Sequence, residues 1–357
     1  MDKLKRLYNI DFLRFGLAWM IVLTHLSVIV DKFYNTKATA VMALKFGHCG
    51  FAAVPAFFFM AGFFLYRTSV NNQKKFSDFI TFRIFRLWPV LAFSFLISLL
   101  FGRYKPYVDT MNLFFINSGL GLLKWNESSS NSAVWFIGVL LFLSIFFRYF
   151  ICELKRKHLI FLCSVITFLS FSVLIKIPME QLGYSKVVMP SLGLTSGFVT
   201  GLGSMGLGVL FSAVFGCADK IKCQFGKIKI LMFSLFELYV FIYYCTRVIY
   251  RSKVYENSLY WLLIFSVIFL LFYVNKGVLS QTLNNKFFGK LGEYSYCIYV
   301  LHLPVIILLK KYYIYMNVTM AMFSTIFIIL LISIITYYLI EKPTYIYLKN
   351  TYERIKY

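Results

Sequence analysis

The stretch 11-DFLRFGLAWMIVLTHLS-27 decides how this chain is read. It is apolar over a length that suits a bilayer, which takes about 20 residues to cross as a helix. Yet it holds Asp11, Arg14 and His25. Helical residues advance by about 100° each, so eleven of them make three turns plus about 20°. Arg14 and His25 therefore share one stripe, about 16 Å apart along the axis. Asp11 stands three residues before Arg14, within reach of an ion pair. Ionisable groups at membrane depth are costly and face a cavity or a partner. Two readings stand at this point. In one, Asp11 and Arg14 are an interfacial pair and His25 bonds a neighbouring helix. In the other, the three mark a functional face.

The rest of the chain suits a membrane. Of its 357 residues, 60% are hydrophobic and only 14% charged, against roughly 25% charged in a soluble domain. The expected class is an all-α polytopic membrane protein, forming one domain over residues 1–357. Ten spans are expected, near 9–30, 46–66, 80–101, 134–151, 158–177, 192–214, 229–248, 257–274, 291–310 and 319–340. The net charge of +23 does not indicate nucleic acid. The cations sit between apolar runs and form no basic face, so they read as topology signals. Of the 37 Lys and Arg, 23 fall on the N-terminus, the even-numbered loops and the tail, and 13 on the odd-numbered loops. This asymmetry places both termini in the cytoplasm and the longest loop, about 102–133, outside. The N-terminal apolar run is too long for a cleaved leader and contains Arg14 and His25. Seven cysteines show no CxxC pair. Cys217 and Cys223 fall in an expected cytoplasmic, reducing loop, so neither a disulfide framework nor a metal site is expected.

Other polar residues punctuate the spans. In 54-VPAFFFMAGFFLY-66, Pro55 and Gly62 bracket an aromatic run, which predicts a kinked helix with Gly62 at a close packing point. In 79-FITFRIFRLWPVLAF-93, Arg83 and Arg86 share a face at the cytoplasmic boundary. They are either positive-inside anchors, with Trp88 at the interface, or a fork for phosphates. The segment 291-LGEYSYCIYVLHLPVIILLKK-311 places His302 mid-span, just before Pro304. In 337-YYLIEKPTYIYLK-349, Pro343 disfavours helix at Lys342, and Glu341 is expected at the cytoplasmic surface. Glu237 is a lone acid in an apolar run; His48 and His158 read as structural.

Taken in order, these motifs resemble the acyltransferase-3 family of bacterial membrane O-acyltransferases. Arg14 and His25 match its Arg-x10-His motif, and 83-RIFR-86 its Arg-x-x-Arg motif, followed by Trp88 and Pro89. The run 57-FFFMAG-62 is similar to its Phe-Phe-x-x-Ser-Gly motif, with Ala61 in place of serine. The segments 135-WFIGVLLF-142, 291-LGEYSYCIYVLH-302 and 340-IEKP-343 resemble later blocks.

The resemblance implies transfer of an acyl group, usually acetyl, from cytoplasmic acyl-CoA to a hydroxyl of an extracytoplasmic or lipid-linked glycan. O-antigen, capsule and exopolysaccharide are the acceptor classes, and the bacterial cytoplasmic membrane the location. It also implies a stand-alone member, without the fused extracellular hydrolase-like domain of some relatives. On this reading acyl-CoA is a substrate and no cofactor is resident. His25 acts as general base or forms an acyl-histidine, and Arg14 orients the donor or steadies an oxyanion. Arg83 and Arg86 hold the donor's phosphates, while Asp11, Gly62, His302 and Glu341 support. The rival is a transporter or flippase for a glycan or lipid, which also suits buried Arg and His. Against it, no pair of related halves is visible. A third possibility is an inactive relative that scaffolds glycan assembly.

Overall fold

The computed structural model describes residues 6–71, 75–116, 129–175, 187–189, 193–215, 226–249 and 258–356. Nearly all of them are helical. The chain opens with α1 (Tyr8–Tyr34), which ends where Asn35 turns left-handed and its N–H bonds the Asp31 carbonyl. A capping box between Thr36 and Thr39 then starts α2 (Lys37–Phe46). There follow α3 (Cys49–Asn71), α4 (Phe76–Leu100) and the short α5 (Pro106–Leu113). Next come α6 (Trp135–Glu153) and α7 (Arg156–Leu174). A small antiparallel ribbon, β1 (Val187–Met189) with β2 (Leu194–Thr195), leads into α8 (Ser196–Phe215). The second half holds α9 (Lys227–Ile249), α10 (Ser258–Val274), α11 (Val278–Leu283) and α12 (Lys286–Glu293). It closes with α13 (Ser295–Leu309), α14 (Val318–Thr336) and α15 (Lys342–Lys356).

Among the described residues, nine helices are long and apolar enough to cross a membrane. The position expected for the remaining span is taken by α10, whose described part is 17 residues. The protein is thus an all-α polytopic membrane protein. Helices α3 and α8 are both largely enclosed and press against each other. Gly62 makes this approach possible, because a Cβ there would run into the Met205 carbonyl of α8. On the outside, α7, α9 and α14 present Phe161, Phe168, Leu231, Met232, Phe323 and Phe327 to their surroundings. Such a belt suits hydrocarbon rather than water.

Three expectations need correction. The span expected at 291–310 begins later, because α12 is a separate helix that breaks at Tyr294 before α13. Gly292 lets α12 lie directly on the Asp11 backbone, where a Cβ would collide. Pro343 does not end the last helix. Residues Tyr337–Glu341 form a π turn in which the Lys342 N–H bonds the Tyr337 carbonyl. Pro343 then falls in the first turn of α15, where its missing N–H costs nothing. The same wide turn rolls Glu341 inward. It is 6% exposed, not the surface acid expected.

Two other acids are structural. Glu237 accepts the Leu279 and Ser280 backbone N–H groups at 3.0 and 3.2 Å, at the start of α11. Asp109, in the long loop, accepts Ser129 Oγ at 2.7 Å and Ser130 N at 3.0 Å. Within that loop, residues 117–128 lie outside the described residues, as do Cys217 and Cys223.

Candidate active site

The start of α1, the ends of α3 and α10, and the π turn meet at one end of the bundle. This is the end that the Lys and Arg excess marks as cytoplasmic. Between them lies a cavity of about 760 Å³. Arg6, Asp11 and Arg14 line one wall, with Phe64 and Arg67 from α3 and Arg86 from α4. Glu293, Tyr337, Glu341 and Lys342 complete it. Five cations thus face three acids.

The acids are not free. Asp11 bridges two arginines, with Oδ2 2.7 Å from Arg6 Nε and Oδ1 3.3 Å from Arg14 Nη1. The Asp11–Arg14 pair expected from the spacing is therefore present. Arg6 reaches on to Glu293 Oε1 at 2.8 Å, and the Tyr337 hydroxyl donates to Glu293 Oε2 at 2.8 Å. Partial burial works to raise the Glu293 carboxyl, but the bonds from Arg6 and Tyr337 and the Arg6 charge prevail and hold it below the usual range. Burial acts to lower Arg6, yet its two carboxylate partners keep its guanidinium above its ordinary value. Glu341 Oε2 accepts the buried Cys297 thiol at 3.1 Å. The Arg14 guanidinium also lies over the Phe64 ring, 5.1 Å from its centre.

Arg86 is exposed into the cavity and makes no ion pair among the described residues. Arg83 does not line the cavity; its guanidinium lies over Phe79 of its own helix, 5.5 Å from the ring centre. Arg6, Arg67, Glu293 and Lys342 join the site although the sequence reading left them aside. For the three cations the signal is the row of Lys and Arg at the inner ends of the spans, which also serves topology; nothing in the local sequence singles out Glu293.

Further along α1, His25 is half-buried and His302 of α13 fully buried. Their ring centres are 5.2 Å apart, with 35° between the planes. His302 Nδ1 lies 2.6 Å from the Tyr299 carbonyl oxygen. Neither histidine lines the cavity. Gly62 stands at the α3–α8 contact and does not line the cavity; its observed part is packing.

The site is thus a cavity lined by five cations at one end of a helical bundle, with a histidine pair farther along, where α1 meets α13. The acyltransferase domain of the acyltransferase-3 family matches residues 7–339. The chain belongs to that family and is a membrane acyltransferase. No curated protein and no solved structure matches it.

Proposed function

We propose that this membrane acyltransferase moves an acyl group, acetyl in the first instance, from cytoplasmic acyl-CoA to a hydroxyl of an extracytoplasmic or lipid-linked polysaccharide. O-antigen, capsule and exopolysaccharide are the acceptor classes, and the bacterial cytoplasmic membrane is the setting. One observation carries the reading: Arg14 lines the cationic cavity, and the same helix places His25 against His302. The cavity volume falls in the range of small-molecule sites, roughly 300–1,000 Å³. Arg86, Arg67 and Lys342 supply charge-assisted donors of the kind that phosphates take. From Arg14 to His25 is about 16 Å along the helix. The pantetheine arm, nearly 20 Å when extended by bond lengths, spans that distance.

In this mechanism the acceptor hydroxyl gives its proton to His25 as its oxygen attacks the thioester carbonyl. The C–S bond breaks and the proton passes to the departing CoA sulfur. Arg14, held by Asp11, orients the donor or steadies the oxyanion. An acyl-histidine on His25 is the second route. The test supplies labelled acetyl-CoA to membranes carrying the wild type or His25→Ala. Loss of glycan labelling with normal insertion supports the proposal. Wild-type labelling by the folded variant ends it.

A further inference from the structure

His302 has a hydrogen-bonding state that its surroundings dictate. Its Nδ1 lies 2.6 Å from the Tyr299 carbonyl, which can only accept, so Nδ1 carries the proton. In the neutral ring Nε2 is then a bare acceptor. Among the described residues that nitrogen has no hydrogen-bond partner, and the side chain is 0% exposed. Buried polar atoms are satisfied in roughly 90% of cases or more, so an exception asks for a reason. The other imidazole of the region is His25, whose ring centre is 5.2 Å away. With each nitrogen about 1.15 Å from its ring centre, two nitrogens turned onto the line between the centres would stand about 2.9 Å apart, a hydrogen-bond distance. The bond then needs a turn of the His25 ring that brings its N–H onto that line.

We infer that His302 is a positioning residue for His25: its bare Nε2 accepts the His25 N–H and so presents the other His25 nitrogen, lone pair outward, to the acceptor hydroxyl. The asymmetry of burial sets the order. His25 is half-buried and reaches accessible space, whereas His302 is sealed behind it. When His25 takes the hydroxyl proton, the N–H held by His302 stays in place and the imidazolium keeps its orientation. The proton then leaves on the CoA sulfur, and His302 begins and ends the cycle neutral. The arrangement has the form of a base oriented by a second group. Here the orienting acceptor is an imidazole, with a backbone carbonyl setting its tautomer.

The kinetic part rests on the acyl-transfer proposal, and the tautomer does not. The experiment therefore has two arms on the full chain in detergent. In the first, ring nitrogens of the four histidines are labelled with 15N, and His302 is assigned by its loss in His302→Gln. The expected spectrum shows His302 Nδ1 protonated, Nε2 bare, and a His25 N–H signal that moves in the variant. A protonated Nε2, or a His25 signal indifferent to the variant, overturns the inference. In the second arm, His302→Phe lowers kcat about 100-fold or more with the KM for acetyl-CoA nearly unchanged. His302→Gln, which returns an acceptor near the Nε2 position, keeps kcat within about tenfold of wild type. Adding His302→Phe to His25→Ala costs nothing further. Equal losses in the Phe and Gln variants would mean a packing role and overturn the inference. If the wild type transfers no acyl group at all, the proposed function fails, and the spectra alone decide the pairing.

Discussion

The Cys297 thiol donates to Glu341 Oε2 at 3.1 Å, joining α13 to the π turn that carries the cavity's inner acid. Both groups are buried. Cys297→Ala leaves that carboxylate oxygen without its donor, which typically costs about 1–3 kcal/mol. Cys297→Ser restores an O–H donor and should stay within about 1 kcal/mol of wild type. Thermal unfolding in detergent reads both. Equal melting of the Ala and Ser variants would show the bond to be unimportant.

The α3–α8 contact depends on Gly62. Gly62→Ala forces a Cβ against the Met205 backbone, which has no flexible end to yield. The expected loss is that of overpacking, about 1–3 kcal/mol. It should appear as a lower melting temperature and a reduced yield of folded protein. On the proposed function, the KM for acyl-CoA of the surviving fraction should not change.

Arg86 faces the cavity and Arg83 does not. Removing one charge-assisted hydrogen bond, worth about 1.5–3 kcal/mol, weakens binding roughly 10- to 100-fold. On the proposed function, Arg86→Ala is therefore expected to raise the KM for acyl-CoA by at least about tenfold, and Arg83→Ala to change it much less. Titrating acyl-CoA against the two variants compares them directly. An equal effect would return both arginines to a shared fork.

The Arg6–Glu293 latch should make stability pH-dependent. The folded Glu293 carboxyl is held below its ordinary range, so it binds its proton more weakly than in the unfolded chain. Its contribution is complete above the unfolded value, about 4.3. It is lost as the pH falls through the lower folded value. Melting curves recorded from about pH 6 down to about pH 3 should fall less steeply for Glu293→Gln than for the wild type. The effect is small, because the pair is partly solvated.

Much of this protein was legible from local pattern. Apolar run length predicted the positions of the helices, since a bilayer sets a minimum length that any span must meet. The 3.6-residue period put Asp11 beside Arg14, a contact within one turn that tertiary packing left intact. Gly62 was read as a close packing point because only a residue without a Cβ permits such an approach. What local pattern missed depends on where separate helices end relative to one another. Arg6 meets Glu293 across 287 positions, and no periodicity connects them. The Arg83–Arg86 spacing named the right helix face, but only the crossing of α4 against its neighbours selects Arg86 for the cavity. Pro343 disfavours helix at Lys342 locally, yet Lys342 is α-helical (φ −67°, ψ −49°), because the packed helix continues through the π turn and overrides that bias. His25 and His302 were each visible as polar residues in apolar helices. That they face one another was decided by the packing of α1 on α13, because a helix determines which side a residue occupies and only its neighbour determines what stands opposite.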